Sequence, residues 1–224
     1  MNQDAEKQIA AYEAVKLVKD GMIVGLGSGS TSAYMIKRLG ECVSKGLKIK
    51  GVPSSKKTKE LAIAAGIEII SLEEASVIDI NIDGADEFDP YLQLIKGGGG
   101  ALLHEKIVAS NATKNIIISD SSKEVQRLGK FRLPIETIPF ATAKIQSVLE
   151  KKGLDPVLRK KENNIFITDE NNYILDLDIS HFNNLAKLQE MLINIAGVVE
   201  TGLFLDIADE IIIGKGTSVI RITK

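Results

Sequence analysis

Tryptophan is absent from this chain of 224 residues, and cysteine occurs only once, as Cys42. A single cysteine excludes an internal disulfide and a zinc cluster built on cysteines. No apolar segment approaches the roughly 20 residues that cross a bilayer, and the polar first residues are unlike a signal peptide. We therefore expect a cytoplasmic protein with no membrane partner.

Excess positive charge is also absent, because the formal net charge is -2 and the sequence pI is about 5.8. This balance argues against a nucleic-acid partner, and local positive groups would have to hold any anionic ligand. The two histidines, His104 and His181, lie in no triad-like setting, so the sequence offers no apparatus for nucleophilic hydrolysis. Hydrophobic residues at 44% and charged residues at 26% are typical of a soluble globular protein.

Strands and helices alternate along the first part of the chain. Apolar runs predict strands at 22–26, 48–52, 67–70, 77–83 and 115–119. Helices are predicted from a cap at Asp4 to a stop at Gly21, then from just after Thr31 to about Lys45, at 54–65 and at 101–110. This alternation predicts an α/β fold with a mostly parallel sheet that helices cover on both faces. Ligands bind such sheets beyond the carboxyl ends of the strands.

The pattern changes near Leu128. Residues 131–204 read as a strand at 133–138, a helix at 143–152, a hairpin of strands 165–168 and 174–179, a helix at 185–196 and a strand at 198–204. They predict a small α+β domain inserted before the last strands at 210–213 and 218–222. Residues 1–130 and 205–224 would then form the main domain.

The first loop of chemical interest is Gly-Leu-Gly-Ser-Gly-Ser-Thr at 25–31. Its glycines permit close backbone approach, and its hydroxyl groups stand at a helix start that attracts anions. A P-loop would need a lysine before the Ser/Thr, and the dinucleotide fingerprint would need glycine at Ser30 and an acid after the next strand. Both are missing, so nucleotide binding is disfavoured. A purely structural tight turn stays open.

The second loop, at 83–89, carries four carboxylates in seven residues directly after a buried strand. Carboxylates this close raise one another's pKa unless they are used or bound. The spacing does not match a calcium-binding loop that begins at Asp83, because Ala85 stands at the third position and no glycine stands at the sixth. A magnesium site and a plain solvated loop both stay open at this point.

The third loop is Lys96 followed by four glycines, and the next helix begins just after it. Successive glycines are entropically unfavourable, so a backbone surface that approaches a small ligand explains them better than a linker does. Lys96 adds a cation, and Glu105 falls in the first or second turn of the helix.

In this order and spacing, the motifs of the three loops resemble those of the type A ribose-5-phosphate isomerases. The resemblance continues through Asp-Ser-Ser-Lys at 120–123 and Leu-Gly-Lys-Phe at 128–131, and it covers essentially the whole chain. It implies a Rossmann-like, mostly parallel sheet domain with a small inserted α+β (ferredoxin-like) lid, a homodimer or a dimer of dimers, and no metal or organic cofactor. The chain departs from the family pattern at Ser28, Gly100 and His104, where Thr, Ala and Arg are frequent.

The resemblance also implies an activity and residue roles. The activity is interconversion of D-ribose 5-phosphate and D-ribulose 5-phosphate through a cis-enediolate, in the non-oxidative branch of the pentose phosphate pathway. Glu105 would be the base, Lys96 would stabilise the enediolate, and Asp83 with support from Asp86 would handle hydroxyl protons. The implied substrate contacts are Ser28, Gly29, Ser30, Thr31, Asp83, Gly84, Ala85, Asp86, Lys96, Gly97, Gly98, Gly99 and Lys123, with Lys7 matching a lysine associated with phosphate.

Other functions fit parts of the sequence less well. A non-catalytic sugar-phosphate sensor would usually carry a DNA-binding segment, and there is no room for one before the first strand. A nicotinamide-dependent oxidoreductase would need the dinucleotide fingerprint that fails here. Another sugar-phosphate isomerase or an amino-sugar deaminase fits the acidic and lysine-glycine loops poorly.

Overall fold

The computed structural model describes residues 2–224 and has a seven-stranded sheet at its centre. Numbered along the chain, the strands of this sheet are β1 (Ile23–Leu26), β2 (Lys50–Pro53), β3 (Glu68–Ile69), β4 (Ile80–Gly84), β7 (Asn115–Asp120), β15 (Glu210–Lys215) and β16 (Ser218–Thr223). Their order is β16-β15-β7-β4-β1-β2-β3. Every neighbouring pair is parallel except β15 and β16, which confirms the predicted α/β fold.

Helices cover both faces of the central sheet. Helices α1 (Gln3–Val15), α2 (Gly29–Val43) and α3 (Lys56–Ala64) pack on one face, and α4 (Leu102–Ser110) packs on the other. Successive side chains of a strand point to opposite faces of the sheet, and those of Ile80 and Ile82 in β4 join the core under α1 to α3. Asp83 therefore points to the side of α4. Within residues 2–224, no helix has the length and hydrophobicity needed to cross a membrane.

The first helix differs in its bounds from the prediction. Asn2, not Asp4, is the N-cap, because its side chain accepts a hydrogen bond from the Asp4 N–H at 3.1 Å. The helix ends at Val15, before the predicted stop at Gly21. Hydrogen-bonded turns follow the helix, and Gly21 adopts a positive φ of 83°.

The inserted α+β region forms a four-stranded antiparallel sheet with two helices. Its elements are β8 (Leu133–Thr137), α5 (Thr142–Glu150), β9 (Val157–Leu158), β12 (Tyr173–Leu177), α6 (Leu185–Ile193) and β13 (Val198–Thr201). The strand order β13-β8-β12-β9 is that of a ferredoxin-like unit. An apolar cluster that includes Ile135, Leu149 and Leu192 lies between this sheet and its helices. We call this region, residues 131–204, the lid; its boundaries stay a prediction.

The predicted hairpin of residues 165–168 with 174–179 is wrong. Strand β12 pairs with β8 and β9, while a short hairpin of β10 (Lys160–Lys161) and β11 (Asn164–Ile165) stands apart. In the segment predicted as the first strand of this hairpin, the Ile165 and Ile167 side chains are 39% and 58% exposed. These exposed side chains add little to the lid core, and the segment does not join the lid sheet.

A third, small sheet connects the two regions. It contains β5 (Glu87–Phe88), β6 (Leu94–Ile95) and β14 (Leu203–Phe204). The predicted single strand 198–204 is therefore two strands in different sheets, divided at Gly202. The Gly202 N–H donates to the Pro134 carbonyl at 2.7 Å, and its carbonyl accepts from the Lys96 N–H at 2.9 Å. Gly202 thus ties the lid to the strand end that carries Lys96.

Replacing Gly202 should destabilise the protein. A Cβ at this position would overlap the Lys96 carbonyl and lie 2.9 Å from Pro134 Cδ. Because these are mostly backbone neighbours, we expect Gly202→Ala to lower the free energy of unfolding by about 1–3 kcal/mol, the usual range for overpacking. Urea unfolding should show this loss, whereas Gly99→Ala should change stability little, because, apart from its chain neighbours, no other atom of residues 2–224 lies within 4 Å of its added Cβ. Equal stability of the two variants would contradict the close packing at Gly202.

Candidate active site

The three loops singled out from the sequence meet around one small cavity of about 120 Å³. The cavity lies beyond the carboxyl ends of β1 and β4, where the strand order reverses, and ligands bind α/β sheets at this place. Among residues 2–224, fourteen line it: Lys7, Ser28, Gly29, Ser30, Thr31, Gly84, Ala85, Asp86, Lys96, Gly97, Gly98, Gly99, Glu105 and Lys123. Of the expected substrate contacts, only Asp83 is not in the lining, since it lies behind Lys96 and Ser28.

Strand register brings the first two loops together. Leu26 of β1 pairs with Ile82 of β4, and the Gly27 N–H donates to the Ile82 carbonyl at 3.0 Å. Both strands therefore end at the same level, and their loops leave the sheet side by side. Gly27 must be glycine here, because a Cβ would overlap the Asp83 carboxylate.

The Lys96 ammonium is the centre of the site and is buried at 3% exposure. Its Nζ lies 3.0 Å from Asp83 Oδ2 and 3.5 Å from Glu105 Oε1, and it donates to the Gly84 carbonyl. Burial alone lowers the pKa of Lys96, but the neighbouring carboxylates of Asp83 and Glu105 outweigh burial, and the net pKa is raised. Lys96 therefore stays charged.

Asp83 is held rigidly behind the lysine. Its Oδ1 accepts hydrogen bonds from the Ser28 N–H at 2.9 Å and from the Gly84 N–H at 2.7 Å. Its Oδ2 faces Lys96, as described above. The carboxylate thus links the first loop, its own loop and the lysine of the third loop.

Glu105 lies in the first turn of α4 and is buried at 5% exposure. The Ser28 hydroxyl donates to its Oε1 at 2.6 Å, while Oε2 is buried without a hydrogen-bond partner among residues 2–224. Burial raises the pKa of the Glu105 carboxyl to about 7, with Lys96 and Ser28 acting against the rise and Asp83 adding to it. A carboxyl with such a pKa can both accept and return a proton near neutral pH.

The four carboxylates of the second loop bind different groups. Asp86 Oδ2 accepts from the Gly98 N–H at 2.6 Å and so joins the second loop to the third. Glu87 turns away from the cavity and accepts from the Gly129 and Phe131 N–H groups. Asp89 accepts from two N–H groups of its own turn. Within residues 2–224, no three His, Cys, Asp or Glu side chains form a group that could hold a metal ion.

Lys7 of α1 and Lys123 of the 3₁₀ turn Ser121–Lys123 bring positive charge to one wall of the cavity. Glu6, which the sequence reasoning missed, holds these two elements together. It accepts from the Ser121 N–H at 3.1 Å, the Ser121 hydroxyl at 2.8 Å and the Gly216 N–H at 2.8 Å. No local signal marks Glu6, because its partners are 115 and 210 positions away in the sequence.

Comparison with known proteins decides the family. The family model for ribose 5-phosphate isomerase A (phosphoriboisomerase A) matches residues 50–218. The protein named ribose-5-phosphate isomerase A of Ruegeria pomeroyi is 49% identical, over 98% of this chain and 87% of its own length. This chain belongs to the ribose 5-phosphate isomerase A family.

Solved structures agree with this assignment to the ribose 5-phosphate isomerase A family. A D-ribose-5-phosphate isomerase in complex with phospho-erythronic acid superposes with a TM-score of 0.96 at 42% identity, and the match covers all of both chains. Ribose 5-phosphate isomerase A from Methanocaldococcus jannaschii gives a TM-score of 0.93 at 40% identity, covering 97% of this chain and 98% of its own. The resemblance drawn from the three loops is confirmed.

In this ribose 5-phosphate isomerase A family member, Glu105→Gln should raise the melting temperature at pH 8. Burial raises the folded pKa of Glu105 above its unfolded value, so the wild-type fold loses stability as the pH rises from about 4.5 to about 7. The increase in melting temperature should be small at pH 5, where the Glu105 carboxyl of the folded wild type is already protonated. Thermal unfolding at both pH values measures the difference.

Glu6→Gln is the matched control, because this glutamate is also buried but its pKa is shifted the other way. Hydrogen bonds, first from the Gly216 N–H and then from Ser121, lower the pKa of Glu6, so its carboxylate stabilises the fold above pH 4.5. Glu6→Gln should therefore lower the melting temperature at pH 8. If Glu105→Gln also lowered it, Lys96 would outweigh burial, and the raised pKa of Glu105 would be wrong.

Proposed function

We propose that this chain interconverts D-ribose 5-phosphate and D-ribulose 5-phosphate, with Glu105 as the base. The observation that carries the proposal is the buried Glu105 carboxyl at the wall of the cavity. Its Oε1 lies 3.5 Å from Lys96 Nζ, and its Oε2 has no hydrogen-bond partner in the described part of the chain, residues 2–224. Membership of the ribose 5-phosphate isomerase A family supports the choice of substrate.

The reaction moves a proton between C2 and C1 of the open-chain sugar. In the aldose-to-ketose direction, Glu105 removes the C2 proton and gives a cis-enediolate. The same carboxyl then returns the proton to C1, which one base can do from one face of the planar intermediate. Hydrogen bonding of Oε1 to Ser28 leaves Oε2 as the oxygen that exchanges the proton.

Negative charge that develops on the enediolate needs donors already in place. Lys96 is held beside Glu105 by Asp83 and by the Gly84 carbonyl, so it can stabilise this charge without rearranging. Gly97 and Gly99 of the third loop (residues 96–100, the glycine loop) line the same cavity, and their N–H groups add hydrogen-bond donors, while the Gly98 N–H is used on Asp86. Asp83 and Asp86 handle the hydroxyl protons, including that of ring opening. Asp86 lines the cavity and can reach them directly, whereas Asp83 lies behind Lys96 and acts through the lysine.

The phosphate binds at the wall formed by Ser30, Thr31, Lys7 and Lys123. Ser30 and Thr31 stand in the first turn of α2, where N–H groups and the helix dipole attract an anion. Ser28 belongs to the same loop, but its hydroxyl is used on Glu105. The solved relative that holds phospho-erythronic acid supports a phosphate site in this fold.

The rest of the proposal follows from the family resemblance. The enzyme uses no metal or organic cofactor, works in the cytoplasm in the non-oxidative branch of the pentose phosphate pathway, and is a homodimer or a dimer of dimers. Exposed apolar side chains along one groove, Ile63, Leu72 and Ile107, support a surface covered by a second copy.

Glu105→Gln should lower kcat for ribose 5-phosphate by roughly 10²–10⁴, the usual effect of removing a positioned acid-base group. The assay follows formation of ribulose 5-phosphate with a strong chelator present, so that it also tests the cofactor-free proposal. Glu136→Gln is the control, because burial raises the pKa of this carboxyl too, yet it lies in the lid and hydrogen-bonds Thr168 and Asn172. Retention of more than about a tenth of the activity in Glu105→Gln would place the base elsewhere.

Lys123→Ala and Thr31→Val should weaken binding of ribose 5-phosphate by roughly 1–3 kcal/mol, the range for a charge-assisted hydrogen bond. Binding of unphosphorylated ribose should change much less, because it has no group at this wall. Steady-state kinetics with both sugars measures the difference, and Lys130→Ala serves as a control at an exposed lysine outside the lining. Equal losses with the two sugars would mean that the phosphate binds elsewhere.

A further inference from the structure

One arginine of the lid reaches across to the glycine loop of the candidate active site. Arg159 lies between β9 and β10, and its Nη1 donates to the Gly97 carbonyl at 2.7 Å and to the Gly98 carbonyl at 3.2 Å. The other side of the guanidinium binds Asp176 of β12, with Nε 2.9 Å from Oδ2 and Nη2 on Oδ1. Neither the loop motifs nor the family resemblance pointed to this residue.

The arginine is itself fixed in place. Its backbone N–H donates to the Ile174 carbonyl at 2.9 Å, and its carbonyl accepts from the Phe166 N–H at 3.0 Å. The side chains of Arg159 and Asp176 are only 12% and 18% exposed. A planar guanidinium that forms a forked pair with a carboxylate has few orientations left, so its remaining N–H groups point in a set direction. That direction is toward the two loop carbonyls.

The glycine loop needs such support from outside, because glycine has the greatest backbone freedom of any residue and no side chain to pack. Gly97 and Gly100 both adopt positive φ, at 99° and 85°. Asp86 holds the loop from one side through the Gly98 N–H, and Arg159 holds it from the other through the carbonyls. The Phe166 ring covers Gly100, where a Cβ would overlap it.

We propose that Arg159 is a positioning residue that fixes the glycine loop in its catalytic conformation, through hydrogen bonds to the Gly97 and Gly98 carbonyls. The proposal rests on the proposed function, in which donors of this loop stabilise the enediolate. It assigns the lid a part in catalysis. Asp176 contributes indirectly, because its carboxylate orients the Arg159 guanidinium.

The expected kinetic effect follows from where the loop acts. Donors that stabilise charge in the transition state affect kcat, whereas contacts made equally in the ground state affect KM. Arg159→Ala should therefore lower kcat by about 10–100-fold, as small displacements of positioning groups can, with a smaller rise in KM. Millimolar guanidinium, far below denaturing concentrations, should restore part of the lost kcat by occupying the vacated position.

Arg132→Ala is the matched control. Arg132 is also a lid arginine that donates to carbonyls, those of Asp155 and Asp176, and pairs with the Asp155 carboxylate. Within residues 2–224, none of its hydrogen bonds reaches the glycine loop. Its removal should change stability without lowering kcat, and guanidinium should not activate it. Hydrogen exchange of the amides at 97–100, measured by NMR, reports the loop directly and needs no substrate. It should be faster in Arg159→Ala than in wild type and unchanged in Arg132→Ala.

Three results would overturn the proposal. One is wild-type kcat and wild-type exchange of the loop in Arg159→Ala. Another is an equal loss of kcat in Arg132→Ala, which would make both arginines supports of the lid as a whole. The third is a loss of kcat in Arg159→Ala with unchanged loop exchange, which would mean that Arg159 acts by another route. A wild-type protein inactive on ribose 5-phosphate would instead defeat the proposed function, and loop exchange would still decide whether Arg159 fixes the loop.

Discussion

A buried lysine among carboxylates is the constraint on which the candidate site depends. Lys96, Asp83 and Glu105 are all at most 5% exposed, and each charge removed from water must be offset by close partners. Asp83 compensates Lys96 directly, whereas Glu105 is less fully paired, and burial therefore raises its pKa to about 7. The same desolvation that makes the cluster unfavourable for folding gives one carboxyl a pKa suited to proton transfer near neutrality.

Backbone packing around this cluster explains why glycine occurs where it does. Gly27 lies against Asp83, Gly98 against Asp86 and Gly202 against the Lys96 backbone, and each would clash with a neighbour if it carried a Cβ. The hydrogen bonds of Gly98 and Gly202 connect the lysine-glycine loop to the acidic loop and to the lid. The site is thus a product of the whole fold, because three loops and the lid fix one another.

The two ends of the cavity carry different charged groups. The buried cluster around Lys96 sits where proton transfer is proposed, and the cations Lys7 and Lys123 line the wall proposed for the phosphate. Glu6 joins α1 to the turn that carries Lys123, so the cationic wall depends on a contact between distant parts of the chain. With a net charge of -2, the molecule as a whole does not attract an anion, and these local groups must do so.

The sequence was sufficient to predict the α/β fold, the order of its main elements and the three loops at 25–31, 83–89 and 96–100. These features follow from local patterns, and parallel strands place their following loops at one edge of the sheet. Only the tertiary structure showed that Asp83 and Asp86 belong to the site while Glu87 binds backbone N–H groups elsewhere. It also showed that the strand predicted at 198–204 is interrupted at Gly202, and that residues 165–168 form no hairpin with 174–179.

The roles of Glu6 and Arg159 were out of reach for the same reason, since the groups they hold are 115 and 62 positions away in sequence. Burial and long-range hydrogen bonds arise only when distant segments pack together, and they set the pKa of Glu105 and the conformation of the glycine loop.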